Sequence, residues 1–189
     1  INADISDESD VKKITQIILK KYKKIDALVN NAHFISRDNP KRDSSFENYP
    51  IDLWDDMISI NLRSLFLCSR EFGKVMLKQK KGIIVNISSI YGILGADQRI
   101  YGKSRLNSPS PYAVTKGGLV NLTRYLAVYW AKSNVRVNSL TIAGVYNNQE
   151  KEFLDSYCAR MPLGRMANFD EYNGVVLFII SIHQNSMAK

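Results

Sequence analysis

Cysteine and histidine are scarce in this chain. Only Cys68, Cys158, His33 and His183 occur among 189 residues, and they stand far apart. A disulfide framework needs more cysteines, and a structural zinc site needs clustered Cys and His ligands. We therefore expect two buried thiols in helices, with no disulfide and no metal site.

Long apolar runs are also missing. The longest, residues 175–180, is far shorter than the roughly 20 residues that span a bilayer. No basic segment followed by a cleavage site opens the chain. We expect a soluble, cytoplasmic protein without a membrane partner. The length and the hydrophobic content of 45% predict one domain over residues 1–189.

Glycine is absent from the front of the chain, where the first one is Gly73. The sequence therefore contains no GxGxxG turn and no P-loop, the two common phosphate-binding glycine motifs. The formal net charge is +8. Its lysines fall mostly on the polar faces of predicted helices, whereas a nucleic-acid site needs a continuous basic stripe. We therefore interpret most of the lysines as solvated charges on helix faces. If the protein has an anionic partner, a phosphate-bearing small molecule is preferred over nucleic acid.

Helical and strand patterns alternate along the chain. Residues 8–21, 51–80, 111–132, 149–160 and 170–181 show helical periodicity, and residues 27–29, 82–87 and 135–140 form short apolar strands. Polar stretches at 37–50, 88–110 and 141–148 predict loops. Apolar strands separated by helices are typical of a parallel sheet covered on both faces, so we predict an α/β fold.

Tyr112 and Lys116 lie four residues apart in a predicted helix, so their side chains share one face. Lowering a tyrosine pKa from about 10 to about 7 needs roughly 4 kcal/mol of preference for the phenolate. One cation about 4 Å away supplies roughly that amount at an effective dielectric of about 20. The pair can therefore act in proton transfer, although YxxxK also occurs by chance as a surface pair.

Four further segments, together with the one that contains this pair, support a catalytic role for it. They read LVNNA at 28–32, ISINL at 58–62, GIIVNISS at 82–89, YAVTK at 112–116 and VRVNS at 135–139. In this order they resemble the short-chain dehydrogenase/reductase family of classical type over nearly the whole chain. The resemblance implies a Rossmann-type doubly wound parallel sheet, NAD or NADP as cofactor, and hydride transfer between a secondary alcohol and a ketone. It also implies a homodimer or homotetramer.

The resemblance assigns four catalytic roles. Tyr112 is the general acid/base, and Lys116 lowers its pKa and holds the nicotinamide ribose. Ser89 binds the reacting oxygen, and Asn61 anchors a water that relays protons to Lys116. Ser88 competes with Ser89, which is preferred because the family's SxxG ending matches 89–92.

Some residues have a structural alternative to a catalytic role, and others are predicted to contact the cofactor. Asn61 could instead cap or interrupt a helix. Tyr101 is not expected to act, because the residue four positions on is an arginine, which does not match the ribose-holding lysine. By the same resemblance, Asn30, Ala32 and Val145 contact the cofactor, as do Tyr112 and Lys116.

Three departures from the family pattern stand out. His33 replaces a glycine and narrows the space beside the cofactor. Residues 141–145 replace a Pro-Gly turn, which puts the backbone clasp on the cofactor carboxamide in doubt. The N-terminal glycine-rich βαβ part is missing; residues 1–5 resemble the end of the third strand, with Asp4 as the adenine-side contact. We expect that these 189 residues alone do not bind a dinucleotide tightly.

The loop at 88–110 is longer than is usual between the family's serine and tyrosine, and long loops are often functional. It carries Arg99, Lys103 and Arg105, which predict an anionic sugar as the small-molecule substrate, with solvated loop charges as the alternative. This loop and residues 145–149 resemble bacterial surface-sugar and flagellin-modification oxidoreductases. Two further hypotheses remain open: a 3-oxoacyl or steroid ketoreductase, and a catalytically inactive binding or oligomerisation module.

Overall fold

Three parallel strands form the centre of the protein. The computed structural model describes residues 1–36, 38–102, 104 and 106–181. The strands are β1 (Ala27–Asn30), β2 (Gly82–Ser89) and β3 (Val135–Ile142), in the order β1-β2-β3. Ala27 of β1 pairs with Ile83 of β2, and Gly82 of β2 pairs with Val135 of β3. The predicted parallel sheet is therefore confirmed.

Six α-helices accompany the sheet in the described part of the chain. They are α1 (Glu8–Tyr22), α2 (Ile51–Ile58), α3 (Ser64–Gln79), α4 (Ser110–Tyr129), α5 (Lys151–Cys158) and α6 (Asn173–Ser181). Short 3-10 helices occur at Phe46–Asn48, Ile90–Gly92, Gln98–Tyr101 and Ala131–Ser133, and one π-helical turn occurs at Ser59–Arg63. All five predicted helices have counterparts, with shifted ends.

Every residue of β2 is buried, because helices cover both faces of the sheet. Ile84 on one face joins Val11 of α1, Phe72 of α3 and Leu126 of α4 in the largest apolar cluster. On the opposite face, alternate β2 residues pack against α6. A strand buried on both faces needs a nearly continuous apolar run, which is what residues 82–87 supply.

The predicted carboxyl ends of β2 and β3 were wrong. β2 continues through Ser88 and Ser89, and β3 continues through Thr141 and Ile142, so each strand is two residues longer than predicted. Polar side chains suggested loops there, but these residues pair with each other across the sheet. Pairing across the sheet therefore outweighs the loop signal of the two serines in β2, whereas Thr141 and Ile142 are β-branched residues that favour a strand themselves.

The prediction of one uninterrupted helix at 51–80 is also corrected by the structure. The helical path is continuous, but the π-helical turn at Ser59–Arg63 separates α2 from α3. Residues 1–5, which resemble a strand end in sequence, form no strand in the structure. Within the described residues, no helix is long and apolar enough to span a membrane.

Candidate active site

Tyr112 and Lys116 lie in the first turns of α4, beside the carboxyl end of β2. Proline at the start of α4 suits the first helical turn, where no backbone N–H is needed. Lys116 is 8% exposed. Its Nζ donates a 2.8 Å hydrogen bond to the Ile87 carbonyl oxygen and lies 5.9 Å from the centroid of the Tyr112 ring. The helix thus holds phenol and ammonium together at the end of the central strand.

Burial changes the acidity of both groups. Desolvation lowers the pKa of Lys116 from 10.5 to about 8. Desolvation also raises the pKa of Tyr112, and a hydrogen bond with Ser89 only partly opposes that rise. The expected lowering of the Tyr112 pKa by Lys116 is therefore not found in this structure. Burial disfavours the charged forms of both groups, and Lys116 Nζ lies 5.9 Å from the centroid of the Tyr112 ring.

The structure separates the two serines at the end of β2. The Ser88 hydroxyl is buried and donates to the Lys116 carbonyl oxygen at 3.2 Å, so it ties the strand to α4. The Ser89 hydroxyl instead interacts with the Tyr112 phenol. Gly92 explains the SxxG spacing, because a Cβ there would lie 2.7 Å from the Lys116 carbonyl oxygen. Only a glycine allows the loop to pass so close to the helix.

Asn61 lies in the π-helical turn and is buried. Its Oδ1 accepts a 2.7 Å hydrogen bond from the Phe34 N–H, and its Nδ2 donates at 2.8 Å to the Phe34 carbonyl oxygen. Asn61 therefore lies where the regular α-helix is interrupted, as its structural alternative predicted. Single π-helical turns are frequent at functional sites. This one aims the amide at the loop after β1.

Asn30 belongs to a hydrogen-bond chain that crosses the sheet. Its Nδ2 donates at 2.8 Å to Oδ1 of Asn86, and Nδ2 of Asn86 donates at 2.9 Å to the Thr123 hydroxyl on α4. Asn30 and Asn86 are register partners on β1 and β2. The Asn30 side chain thus fixes the strand ends beside the site. Sequence reasoning missed Asn86 and Thr123, although a buried polar residue within an apolar strand is a usable signal.

His33 packs against Tyr112, with an edge-to-face ring arrangement and a centroid separation of 5.1 Å. A small recess brings several predicted residues together. Its lining includes Asn30, Ala32, His33, Asn61 and Lys116. Four of the five family-like segments, those at 28–32, 58–62, 82–89 and 112–116, contribute to this lining. The His33 ring fills space that a glycine would leave open.

Val145 lies apart from that recess, in a groove of about 520 Å³ between the end of β3 and α6. Its own N–H makes no hydrogen bond within the described part of the chain, because the local parallel bridge uses the neighbouring residues. The Gly144 N–H donates at 2.7 Å to the Tyr157 hydroxyl of α5. Sequence reasoning missed Tyr157, which orders the turn where the Pro-Gly pattern is absent.

Asp4 lies in neither cavity. Its carboxylate accepts hydrogen bonds from the N–H and hydroxyl of Ser6 at 2.8 and 2.7 Å, and these bonds lower its pKa. The neighbouring Ile5 lines the recess. The exposed Asp4 carboxylate thus shapes the turn before α1, and its side chain is not brought next to Tyr112.

The loop at 88–110 packs against α5. Tyr101 stacks on Phe153 with a centroid separation of 5.6 Å, and burial raises the Tyr101 pKa. Arg99, which was predicted to face an anion, is 82% exposed in its side chain and pairs with Asp97 at 2.8 Å. Lys103 and Arg105 lie outside the described residues. For Arg99 the structure favours the alternative of a solvated, locally paired charge.

The family model described as enoyl-(acyl carrier protein) reductase matches residues 1–188. The chain belongs to the short-chain dehydrogenase/reductase family. It is thus an oxidoreductase, and the resemblance to this family is confirmed. Cyclopentanol dehydrogenase of a Comamonas species is 34% identical over 96% of this chain and 68% of that protein.

Two further relatives show the breadth of the family. The 3-oxoacyl-[acyl-carrier-protein] reductase FabG of Thermotoga maritima is 30% identical over 94% of this chain and 68% of its own length. Post-translational flagellin modification protein A of Campylobacter coli is 28% identical over 96% of this chain and 70% of its own length. The resemblance to flagellin-modification oxidoreductases is therefore confirmed at the level of similarity.

Solved structures confirm the Rossmann-type fold. A short-chain dehydrogenase of Leptospira borgpetersenii with bound NAD+ is 35% identical, with a TM-score of 0.86 over 96% of this chain and 68% of that one. A gluconate 5-dehydrogenase of Burkholderia cenocepacia in complex with NADP and tartrate is 25% identical, with a TM-score of 0.81 over 93% and 65%. NAD or NADP is thus the cofactor of this class of enzyme.

Proposed function

We propose that the site interconverts a secondary alcohol and a ketone, with Tyr112 as general acid/base and Ser89 as its hydroxyl partner. The observation that carries this proposal is the meeting of Ser89, Tyr112 and Lys116 at the carboxyl end of β2. Ser89 interacts with the phenol, and Lys116 lies one helical turn away with its ammonium buried. A hydroxyl, a phenol and an ammonium in that order can bind an oxygen atom and move its proton.

The nicotinamide cofactor, when bound, supplies or accepts the hydride. The chain's own residues hold the reacting oxygen and handle its proton. Ser89 orients the oxygen, and Tyr112 gives a proton to it in reduction or takes one in oxidation. Lys116 stays fixed by its hydrogen bond to the Ile87 carbonyl oxygen. An ammonium beside a phenol favours the phenolate, because the two carry opposite charges.

Several features of the chain fit a nicotinamide cofactor. Among the described residues the backbone N–H of Val145 has no partner, and it lies at the edge of an apolar groove, which suits a carboxamide oxygen. Lys116 offers the donors that a ribose hydroxyl needs, and Asn30 and Ala32 line the same recess. We propose these contacts for the nicotinamide half of the cofactor. Asp4 remains the proposed adenine-side contact, because its exposed carboxylate follows the family position.

We propose a sugar-like secondary alcohol as the substrate, and a 3-oxoacyl thioester as the second candidate. The sugar is supported by the similarity to the gluconate 5-dehydrogenase of Burkholderia cenocepacia. The thioester is supported by the similarity to the 3-oxoacyl-[acyl-carrier-protein] reductase FabG of Thermotoga maritima.

A homodimer or homotetramer is part of the same proposal. On α4, Val128 and Tyr129 are 81% and 69% exposed, and Tyr129 stacks on Tyr125. Large apolar side chains that share a helix face are typical of surfaces covered by another subunit.

The full-length protein tests the proposed reaction directly. Nicotinamide absorbance is followed with NADH or NADPH and a panel of cyclic ketones, keto sugars and 3-oxoacyl thioesters. We expect ketone-dependent oxidation of the cofactor, and alcohol-dependent reduction in the reverse direction. Activity with thioesters alone would select the second candidate. Cofactor binding without turnover of any ketone would instead support the inactive binding module.

A further inference from the structure

The turn after β3 is held on two sides. On one side the Ala167 N–H donates to the Gly144 carbonyl oxygen at 3.0 Å, and the Tyr146 N–H donates to the Ala167 carbonyl oxygen at 2.9 Å. On the other side the Gly144 N–H donates at 2.7 Å to the Tyr157 hydroxyl. These bonds fix the residues before and after Val145, whose own N–H has no partner within the residues that the structure describes. The direction of that N–H is therefore set by its neighbours.

Gly144 and Tyr157 fit each other closely. A Cβ at position 144 would lie 2.9 Å from the tyrosine ring, so the turn passes the ring at a distance that only glycine permits. The tyrosine belongs to α5 and is buried. Its hydroxyl thus joins α5 to the turn, and residues 141–145 contain no proline that would hold the turn instead.

A small apolar cluster supports the ring of this tyrosine. Its buried members are Ile100, Tyr157 and Met166. Ile100 lies in the 3-10 helix Gln98–Tyr101 of the long loop. Phe153 of α5 joins the loop to the tyrosine, because the centroid of its ring lies 5.6 Å from that of Tyr101 and 5.7 Å from that of Tyr157. The long loop therefore supplies part of the packing that fixes the tyrosine.

An ion pair ties the same loop to the end of α5. Arg160 Nε donates to Oδ2 of Asp97 at 3.0 Å, and the Arg160 guanidinium also donates to the Ser156 carbonyl oxygen. Gly102 has φ of +51°, a value that favours glycine, and a Cβ there would meet the Glu152 carboxylate near the start of α5. The loop segment 97–102 and α5 thus form one packed unit, with contacts near both ends of the helix.

We infer that Tyr157 is a positioning residue for the Val145 N–H, and that the loop segment 97–102 influences cofactor binding through it. The loop that follows the proposed oxygen-binding serine is in this way linked to the turn that meets the nicotinamide carboxamide. The inference rests on the proposed function for the contact between Val145 and the carboxamide. Tyr157 acts on the geometry of the backbone and needs no contact with the cofactor.

Calorimetric titration of the full-length protein with two probes tests the positioning role. One probe is NADH or NADPH, whichever the wild type binds more tightly. The other is ADP-ribose, or its 2′-phosphate, which has the same adenosine half but no nicotinamide. Tyr157→Phe should reduce the preference for the nicotinamide probe about threefold or more, because the turn loses a hydrogen bond. Binding of ADP-ribose should stay unchanged, whereas general structural damage would weaken both probes.

Arg160→Met tests the contribution of the loop. It breaks the ion pair with Asp97 and should reduce the same preference about twofold. Lys151→Met is the matched control, because it breaks an exposed ion pair with Asp155 that lies within α5. Tyr49→Phe is the control for loss of a phenol hydroxyl, which in this case contacts a sulfur atom of α2. Both controls should retain the wild-type preference.

Equal weakening of both probes by Tyr157→Phe, or no change in either, would overturn the positioning role. So would a wild type that shows no preference for the nicotinamide probe. An effect of Arg160→Met no larger than that of Lys151→Met would overturn the part assigned to the loop. Ketone reduction by the wild type alongside any of these results would leave the proposed reaction intact. A preference lost in Tyr157→Phe, without ketone reduction by the wild type, would support the positioning role and contradict only the reaction.

Discussion

The two sides of Tyr112 are built in different ways. On the side of Lys116, regular elements place each group: β2 ends at Ser89, α4 carries the lysine, and the π-helical turn carries Asn61. These side chains are buried and make hydrogen bonds to backbone atoms. On the opposite side, loops and α5 supply exposed or half-buried aromatic and hydroxyl groups. The proposed catalytic groups thus lie on the sheet and its helices, whereas groups that can adapt to a substrate lie on the loops.

Replacing Tyr112 by phenylalanine should produce the largest effect. The ring remains in contact with His33, but the proton is lost, so kcat should fall about 10²–10⁴-fold. Steady-state kinetics of the full-length protein measure this loss. Tyr125→Phe, on the exposed face of the same helix, is the matched control and should retain wild-type kcat. A Tyr112→Phe variant with more than about a tenth of wild-type kcat would refute the assignment.

Cofactor affinity separates the two residues of the pair. Tyr112→Phe should bind the cofactor nearly as well as the wild type, whereas Lys116→Ala should bind it more weakly because a ribose contact is lost. Fluorescence titration with NADH and NADPH compares the variants. Equal affinities would show that Lys116 makes no ribose contact.

Loss of the Asn61 amide should destabilise the buried side of the site. Asn61→Leu keeps the volume but leaves the Phe34 N–H and carbonyl oxygen without partners, which should lower the free energy of unfolding by about 1–3 kcal/mol. Urea unfolding measures the change. Asn48→Leu, in the exposed 3-10 helix, breaks only a side-chain hydrogen bond to Ser45 and should cost much less. Equal losses in both variants would contradict a special role for the turn.

Stability should depend on pH through Lys116. Its folded pKa of about 8 lies below the ordinary 10.5, so above pH 8 the unfolded chain holds a proton that the folded protein has released. The free energy of unfolding should therefore rise with pH, by about 2 kcal/mol between pH 8 and pH 9.5. Below pH 8 both states are protonated and this contribution is constant. Denaturant unfolding at several pH values measures this dependence, and Lys116→Met should abolish the rise above pH 8. The same rise with pH in both proteins would refute the assignment to Lys116.

The smallest effect is expected on the loop side. Arg99→Gln should change KM less than about twofold even for a sugar phosphate, because Asp97 already pairs with the guanidinium at the surface. Steady-state kinetics with phosphorylated and neutral substrates test this. A rise in KM confined to a variant that also neutralises Lys103 and Arg105 would assign an anionic group to those two residues.

The same contrast explains how far sequence alone could go. Tyr112, Lys116 and Ser89 sit in elements with clear periodicity, so their neighbourhood follows from a helix turn and the end of a strand. The roles of Tyr157 and Asn107 could not be predicted, because each contacts a residue at least 13 positions away through a loop. The effect of burial on the Tyr112 pKa could not be predicted either, because spacing along a helix gives proximity but no measure of burial.

The π-helical turn at Ser59–Arg63 also bears on how this site tolerates insertion and deletion. A π turn accommodates one residue more than an α-helical turn would hold, and each residue of an α-helix rotates the path by about 100°. Deleting one residue there would yield a more regular helix. It would also swing α2 around its axis relative to α3, and the amide of Asn61 would no longer meet Phe34. The geometry of the site therefore depends on one extra residue in the helical path between α2 and α3. This constrains the number of residues there rather than their type.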